Sequence, residues 1–538
     1  MNIQQSKYKL LNSEIVIILA FALIKFAIHI YTNTFAGYGI FRDELYYLSC
    51  ASRPDFGYVD HPPFSIWVLG FIRLLIGDSV FAIRLLPTLL GGVTVFITGL
   101  IVIELGGKRL AVTIACLSVL LAPIYFAMNT IYSMNSIDIF IWAVSFYLTV
   151  LLIKDEKPFL WILLGIVFGI GLMNKISIIW LGFGLLVGII LTGKRKSLKT
   201  IWPYVTAGMA FLFFIPFIIW NATHDWAHIE FIRNAQLYKY SGLSRLDFVK
   251  WIIIEMNPAT ILIWLFGLFY FFFNKNGKQF RILGIIFVVT FLILFISGNS
   301  KSEYLSPAFT ALLAAGGILF EKINQLTYWR WVKYAIIIPL IVSGISIAPL
   351  ALPILPTDVY ISYEKTIGIN HPNSESKDLP ELPQFYADMF GWEDLAKNVS
   401  KVYQSLPEEE RKKTFVYCSN YGRASAIEYY SKNYPLPRVI CPHNSYWYWS
   451  PDSDPLRPRS EASKSVELDE WPDTGRYTTL IIIGGNIEDH LFSLKEVYKA
   501  GFHSTKYAMP YENNLTIFIG RGLLRSLKEI RNSDKIFI

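Results

Sequence analysis

Long apolar segments recur through the first 350 residues and constrain the fold of this chain more than any other feature. A helix of about 20 mainly apolar residues crosses the hydrocarbon core of a bilayer. Charged residues make up only 17% of the chain, against about a quarter in a typical soluble domain. We therefore predict a polytopic α-helical membrane protein with about eleven transmembrane helices. The predicted spans are 14–33, 80–104, 110–127, 135–153, 159–173, 177–192, 202–220, 250–273, 281–297, 304–320 and 332–350.

The composition changes after Pro353 and becomes rich in Pro, Ser, Asn and charged residues. We predict a transmembrane domain over 1–353 and a soluble α/β domain over 354–538. Runs of β-branched residues predict strands at 414–417, 479–483 and 515–519, and helical periodicity predicts helices at 424–430 and 487–500. Since no small-residue cleavage pattern follows the first span, we expect that helix to be retained.

Basic residues cluster in alternate loops, and the positive-inside rule makes that side cytoplasmic. The carboxyl-terminal domain is then expected to lie outside the cytoplasm, in a multi-pass protein of the plasma membrane. This distribution also explains the net charge of +8 without nucleic acid as a partner. The basic residues are Lys7, Lys9, Lys108, Arg109, Lys154, Lys157, Lys194, Arg195, Lys196, Lys199, Lys275, Lys278, Arg281, Lys322, Arg330 and Lys333.

The first outer loop carries the densest polar segment, FRDELYYLSCASRPDFGYVDHPP over residues 41–63. Acids and bases at a membrane boundary are costly unless they have a function. Asp43 and Glu44 follow the first span directly, and Pro62-Pro63 restricts the direction of the chain. We interpret this loop as an active site built against the membrane; a solvated first loop is the alternative. The following segment, 64–77, is too short to span and is expected to lie along the interface.

Further polar residues fall on the same predicted face. Asp138 begins the fourth span among apolar neighbours, and Asn174-Lys175 forms the predicted tip of a hairpin. A carboxylate at that depth costs about 2.5–3.5 kcal/mol at a helix centre and less near an interface. Its alternative role is a structural ion pair with Lys175 or Arg84. Lys301 and Tyr304 precede the tenth span; a lysine there could also be an ordinary interface anchor.

Several features leave alternatives open. Cys418 and Cys441 are either free or bonded to each other if their domain is extracytoplasmic. The aromatic segment at 443–451 is either buried packing, a stacking surface for a sugar or a contact with the membrane half. His224-Asp225 supplies two metal ligands without a third, so no metal or other cofactor is firmly implied and a divalent cation stays open. Glu255 and Asn257-Pro258 in the eighth span are either a helix break or the wall of a site.

Carboxylates, cations and aromatic residues on one face suit a group transfer with a phosphate leaving group. A carboxylate deprotonates the nucleophile, fixed cations balance charge on the phosphate, and aromatic faces hold a sugar or a prenyl chain. Nucleotides are scarce outside the cell, which favours a lipid-borne donor. The sequence contains no phosphate-binding loop of the Gly-Lys-Ser/Thr type, which disfavours a nucleotide-driven pump.

These motifs, in this order, resemble the bacterial branch of the protein mannosyltransferase family. The matching pieces are Asp43-Glu44 after the first span, GYVDHPP, an interfacial helix, Asp138 at the head of a span, and NSKSEYLSPAF before the tenth span. The resemblance covers the whole chain. The family belongs to the GT-C superfamily of glycosyltransferases, family thirty-nine, with the aminoarabinose transferases that modify lipid A. It implies transfer of a hexose or pentose from a polyprenyl-phosphate donor, with inversion, to a lipid, glycan or protein acceptor.

The resemblance also implies roles for individual residues. Asp43, with Glu44, matches the first acidic motif, whose aspartate is either the base or a group that orients the acceptor. Asp138 matches the second acidic motif in position. Asp60-His61 occupies the place of a Glu-Lys pair beside the donor phosphate, and the histidine weakens the case for a permanent charge there. The remaining residues expected to bind donor phosphate or substrate are Arg42, Lys175, Lys301 and Tyr304.

Two other classes of function fit part of the sequence. A lipid or sugar transporter would use the acids as proton relays, but transporters usually show two related halves, and none is seen here. A carbohydrate receptor would leave Asp138 unexplained.

Overall fold

The computed structural model describes residues 3–240, 244–298, 300–368, 380–450, 479–525 and 527–538. The chain folds as two compact units that each combine separate stretches of sequence. The helical unit comprises Met1–Gly37, Ser79–Ile219 and Tyr240–Gly368, and the mixed unit comprises Tyr38–Asp78, Trp220–Lys239 and Ile369–Ile538. Part of the first predicted loop therefore belongs to the same unit as most of the carboxyl-terminal region. The proposed division at 353/354 stays a prediction.

Most of the described residues are helical. The α-helices are α1 (Ile3–Phe35), α2 (Arg42–Ala51), α3 (Phe64–Ile76), α4 (Val80–Glu104), α5 (Arg109–Leu120), α6 (Pro123–Thr130), α7 (Met134–Asp155), α8 (Pro158–Asn174), α9 (Ile178–Ile190), α10 (Trp202–Thr223), α11 (Ala227–Asn234), α12 (Arg245–Glu255), α13 (Ile261–Phe273), α14 (Arg281–Ser297), α15 (Thr310–Gln325), α16 (Val332–Ile347), α17 (Thr357–Ile367), α18 (Gln384–Ala387), α19 (Trp392–Gln404), α20 (Glu408–Arg411), α21 (Tyr421–Tyr430), α22 (Tyr446–Trp449), α23 (Ile487–Leu491) and α24 (Leu527–Ser533).

Short 3₁₀ helices lie at Gly193–Lys199, Pro258–Thr260, Lys278–Phe280, Ser302–Phe309, Thr327–Trp329, Ala348–Leu350 and Pro510–Glu512, with a π-helical turn at Ala235–Lys239. The strands are β1 (Thr414–Tyr417), β2 (Arg438–Ile440), β3 (Thr479–Ile483), β4 (Leu494–His503) and β5 (Leu515–Leu523).

The helical unit confirms the polytopic α-helical architecture. In the described chain, seven helices are long and apolar enough to cross a membrane, and ten if each of three bent pairs is one span. Every predicted span coincides with one of these or, for 159–173, with the shorter helix α8. The total of eleven crossings stays a prediction. Helix α7 lies near the centre of this unit, because 78% of its apolar window is buried, against 22% for α1.

The predicted span at 250–273 is wrong as a single straight helix. Helices α12 and α13 meet at 92°, because Pro258 lacks the backbone N–H that would continue the ladder. Asn257 adopts a left-handed φ of 69° at the break. Its side-chain amide donates to the carbonyl oxygen of Leu340 at 3.2 Å. Asn257-Pro258 is therefore a helix break, one of the two alternatives left open above.

Helices α13 and α15 cross closely because glycine lies at the contact on both sides. A Cβ on Gly267 would overlap the backbone of Leu312, and a Cβ on Gly316 would overlap the backbone of Ile263. Small residues allow backbones to approach in this way, and dispersion contacts then hold the pair together.

The mixed unit contains a five-stranded sheet in the order β2-β1-β3-β5-β4. Strands β1, β2 and β3 are parallel, whereas β5 is antiparallel to both β3 and β4. The core on this sheet includes Phe415, Ile482 and Phe518. The predicted strands at 414–417 and 479–483 are confirmed to the residue, the strand at 515–519 is confirmed within the longer β5, and the helix predicted at 424–430 lies within α21.

The predicted helix over 487–500 is wrong beyond Leu491. The chain turns at Phe492-Ser493 and continues as β4, which pairs with β5 from Leu494 to His503. The spacing of the apolar residues favours a helix only weakly. The edge of the sheet offers this segment backbone hydrogen bonds and side-chain contacts, and these stabilise a strand more strongly.

Helix α3 confirms a short helix after the double proline. Its apolar side chains Phe71, Leu74 and Leu75 are exposed, Leu74 by 85%. This exposure fits an interfacial helix, and its position in a membrane stays a prediction.

Candidate active site

Asp43 is the most accessible carboxylate of the predicted motif. It lies in the first turn of α2, where the partial positive charge of the helix N-terminus favours an acid. Its Oδ1 accepts hydrogen bonds from the Tyr421 hydroxyl at 2.9 Å and from the Arg42 Nε at 3.3 Å. Its side chain is 39% exposed. Among the described residues, no group donates a hydrogen bond to Oδ2 within the chain, and the side chain is partly open to solvent.

Arg42 holds Asp43 rather than facing solvent. Its side chain is only 7% exposed, and its guanidinium lies 3.4 Å from the buried carboxylate of Asp388. It also donates to the Tyr511 hydroxyl at 2.7 Å. A buried guanidinium shared among these groups fixes the orientation of its neighbours more readily than it binds a mobile substrate.

Glu44 is fully buried and stabilises the start of α2. Its Oε2 accepts a hydrogen bond from the Phe41 backbone N–H at 2.9 Å. This is the carboxylate half of a helix-capping arrangement, which satisfies an N–H that the helix leaves unpaired. Glu44 therefore positions Asp43, and its predicted role in catalysis stays untested.

Asp60 and His61 lie against α2 in the same unit. The Tyr46 hydroxyl donates to Asp60 at 2.9 Å and accepts from the Ser445 backbone N–H at 3.2 Å. Burial raises the pKa of Asp60 above its ordinary value, against the opposing effect of His61. A carboxyl group of this kind retains its proton to higher pH than a solvated one.

His61 is buried with one ring nitrogen unsatisfied. Its Nδ1 lies 2.9 Å from the Pro62 carbonyl oxygen; since that oxygen only accepts, Nδ1 carries the proton. Within the described chain, Nε2 has no hydrogen-bond partner, and it lies 3.9 Å from Asp60. The ring stacks on Tyr47 at 4.7 Å between centroids. Within the described residues, Nε2 of His61 is thus a buried polar atom without a hydrogen-bond partner.

A half-buried ion pair ties the loop to α21. Arg53 pairs with Glu428 at 2.5 Å, and Glu428 also accepts from the Tyr446 hydroxyl at 2.7 Å. Burial acts to raise the pKa of Glu428, but the Arg53 guanidinium holds it below its ordinary value. The aromatic segment at 443–451 thus contributes packing through Tyr446, whose ring lies 6.2 Å from that of Tyr46.

The stretch 220–239 joins the mixed unit through two further contacts. The His228 Nδ1 donates to the Val59 carbonyl oxygen at 2.9 Å, and the Trp220 indole donates to Asp55 at 3.0 Å. Burial lowers the pKa of His228 to about 4. Its neutral form is therefore part of the fold at physiological pH.

Asp138 belongs to a second cluster, in the helical unit. It is 1% exposed, and the Ser177 hydroxyl lies 2.9 Å from each of its oxygens. The Lys175 Nζ lies 3.8 Å from Asp138 and donates to the Asn135 side chain at 2.7 Å. The predicted pairing of Asp138 with Lys175 is thus present, at the turn between α8 and α9.

Tyr304 and Lys301 extend this second cluster. The Lys175 Nζ lies 5.1 Å from the centre of the Tyr304 ring, and the Tyr304 hydroxyl lies 3.4 Å from that of Tyr240. The Lys301 Nζ lies 5.2 Å from the Tyr240 ring and 4.0 Å from Glu303. Four predicted residues, Asp138, Lys175, Lys301 and Tyr304, therefore fall within one network.

Other candidates take structural roles. The His224 ring stacks on the Trp220 ring with 4.2 Å between their centroids. The His224 Nδ1 lies 2.7 Å from the carbonyl oxygen of Trp220. No group of three His, Cys, Asp or Glu side chains with metal-binding geometry occurs within the described residues. Cys418 and Cys441 are both buried and free.

Sequence reasoning missed Tyr421, Ser177, Asn135 and Tyr240. Ser177 and Asn135 lie within three residues of predicted ones, so a search for polar neighbours would have found them. Tyr421 is 378 residues away from Asp43, and no local signal indicates that contact.

The comparisons with known proteins place this architecture in one class. The family model of dolichyl-phosphate-mannose-protein mannosyltransferase matches residues 60–220. The apo structure of ArnT from Cupriavidus metallidurans aligns with a TM-score of 0.60 at 12% identity, over 94% of this chain and 98% of that one. ArnT bound to undecaprenyl phosphate aligns with a TM-score of 0.56 at 12% identity, over 94% and 97%. No curated protein matches the chain in sequence.

The chain therefore shares its fold with the two ArnT structures. The resemblance drawn from the sequence is confirmed at this level, and the matched region includes Asp60, His61, Asp138 and Lys175.

Proposed function

We propose that this protein is a membrane glycosyltransferase that moves a sugar from a polyprenyl-phosphate donor to an acceptor. The observation that carries the proposal is the Asp43 carboxylate, 39% exposed with its Oδ2 available, in a chain that shares its fold with ArnT over nearly its whole length. The solved ArnT structure with undecaprenyl phosphate supports a lipid-linked donor.

Asp43 acts as the general base in this proposal. The acceptor hydroxyl attacks the anomeric carbon, its proton passes to Asp43 Oδ2, and the bond from that carbon to the phosphate oxygen breaks. The polyprenyl phosphate leaves with the bonding electrons, and the anomeric carbon is inverted. Tyr421 and Arg42 hold Oδ1, so the carboxylate keeps its orientation while Oδ2 reacts.

Within the helical unit, the cations of the second cluster form a candidate phosphate-binding group. Lys175 and Lys301 are 14% and 16% exposed, so each is partly shielded from water yet open to a ligand. Asn135 and Asp138 fix the Lys175 ammonium, which leaves part of its donor capacity for phosphate oxygens. His61 Nε2 and Asp60 supply a further polar contact to substrate.

The location follows from the loop charges. We propose an inner membrane protein of a bacterium whose transfer takes place on the outer face, where a lipid-linked donor replaces nucleotide sugars. The acceptor is a lipid, a glycan or a protein.

Mass spectrometry of lipids and surface glycans from cells with and without the gene tests this function. The expected result is a mass increment, of a hexose or a pentose, that disappears on deletion and returns with the wild-type gene. Asp43→Asn should not restore it, whereas Asp394→Asn, an exposed acid on α19 of the same unit, should. Unchanged glycans and lipids in the deletion strain, or full restoration by Asp43→Asn at equal expression, would overturn the proposal.

A further inference from the structure

A cavity of about 280 Å³ lies in the helical unit, among parts of α7, α9 and α14, the start of α10 and the 3₁₀ helix Gly193–Lys199. Its deep wall is apolar and includes Leu152, Ile153, Leu185 and Ile189, all of which are buried. None of the residues that line it belongs to either cluster described above. Its chemistry therefore has to be explained separately.

The mouth of the cavity is basic. The 3₁₀ helix turns by 105° from the axis of α9 and carries Lys194 and Lys196 over the opening. Lys194 donates to the Ile153 carbonyl oxygen at 2.8 Å and pairs with Glu156. Lys196 is exposed and, within the described residues, has no ion pair. The rim thus retains a positive charge after its one acid is neutralised.

Two tryptophans, Trp161 and Trp202, also line the cavity, and both are half-buried. Tryptophan is enriched at the level of lipid headgroups, and lysine beside it reaches toward phosphate. The residues at the cavity mouth are therefore typical of the headgroup level of a bilayer, and the apolar wall is typical of the level of the acyl chains.

We propose that this cavity binds an anionic phospholipid, with its phosphate at Lys196 and the upper part of one acyl chain against the apolar wall. A free anion would gain nothing from the apolar wall, and a zwitterionic lipid would gain less from the uncompensated lysine. The orientation of the protein in the membrane is enough to explain basic residues in this loop. It does not explain why an apolar cavity lies behind them. The proposal is independent of glycosyl transfer.

Native mass spectrometry of the full chain in detergent tests the proposal with two lipids of identical acyl chains, dioleoyl phosphatidylglycerol and dioleoyl phosphatidylcholine. We expect a preference for phosphatidylglycerol of roughly fivefold, the effect of one lysine near an anionic headgroup. Lys196→Glu should abolish the preference. Lys199→Glu, an exposed lysine of the same 3₁₀ helix that does not line the cavity, should leave most of it.

The apolar half of the site has its own matched pair. Ile189→Trp fills the cavity and should remove the bound lipid, whereas Ile190→Trp on the exposed side of α9 should not. Because Lys196 is exposed, Lys196→Glu keeps the test valid even if Ile189→Trp folds poorly. Equal binding of the two lipids, an equal loss with Lys199→Glu, or displacement of the lipid by millimolar inorganic phosphate would overturn the proposal.

Discussion

The two clusters of predicted residues differ in how their carboxylates are held. Asp43 is 39% exposed and has one oxygen bonded by Tyr421 and Arg42. Asp138 is 1% exposed, and Ser177 contacts both of its oxygens. We therefore propose that the first carboxylate meets the substrate directly and that the second acts through the lysine beside it. The same residue type thus serves two purposes, and solvent access separates them.

The largest expected effect is on Asp43. We expect Asp43→Asn to lower the rate of sugar transfer by about 10²–10⁴-fold, because the amide cannot accept the acceptor proton. Asp138→Asn should lower the rate less, since it removes only the negative charge beside Lys175. Rates measured in membranes at equal expression compare the two variants. A larger loss with Asp138→Asn would reverse the roles assigned to the two clusters.

The stability of the mixed unit should depend on pH through His228. The His228 pKa is lowered from 6.5 to about 4, so the folded state binds this proton less well than the unfolded state. The contribution of neutral His228 to the free energy of unfolding is fully present above about pH 6.5. It falls by about 3 kcal/mol as the pH is lowered toward 4. Thermal unfolding in detergent should show this loss, and His228→Gln should reduce it. An equally steep profile in the variant would contradict this account.

The donor cluster should respond to a change of charge. Lys175→Met removes a cation and its hydrogen bonds, so we expect the affinity for the polyprenyl-phosphate donor to fall about 10–100-fold. Lys175→Arg should restore part of it. Lys154→Met provides the control, because it removes a lysine of α7 that pairs with Glu104 and does not belong to the second cluster. The donor KM should rise more than kcat falls; a fall confined to kcat would place Lys175 in the chemical step.

The smallest effect should come from Tyr421. We expect Tyr421→Phe to lower kcat about tenfold, because one hydrogen bond from a hydroxyl to the Asp43 carboxylate is lost while that from Arg42 remains. Donor affinity should not change. Tyr429→Phe on the same helix supplies a matched control. No change in kcat would show that Arg42 alone orients the carboxylate.

Local pattern predicted much of the fold. Apolar run length located the spans, and β-branched runs located β1 and β3 to the residue. The pattern of residues predicted the wrong structure at 487–500. The spacing of the apolar residues favours a helix there, whereas pairing with β5 favours a strand, and that pairing forms only in the folded sheet. It also missed the 92° bend after Glu255, although Asn257-Pro258 signalled a break.

The candidate site was predicted less completely, for a related reason. Residue type and proximity to a span identified Asp43, Lys175 and Asp138. Their roles depend on burial and on distant partners, and sequence does not contain these contacts. Glu44 is next to Asp43 in sequence, but it caps a helix because its side chain turns inward.

Measuring donor binding and turnover separately in one Asp43→Asn preparation tests the central claim most directly. Purified protein in proteoliposomes would be titrated with the lipid-linked sugar identified in cells, and both its Kd and the rate of transfer would be recorded. The account predicts an unchanged Kd with transfer reduced at least a hundredfold, as expected of a base that acts on the acceptor. A weakened Kd with an undiminished rate at saturation would show instead that Asp43 serves the donor, and would contradict the account.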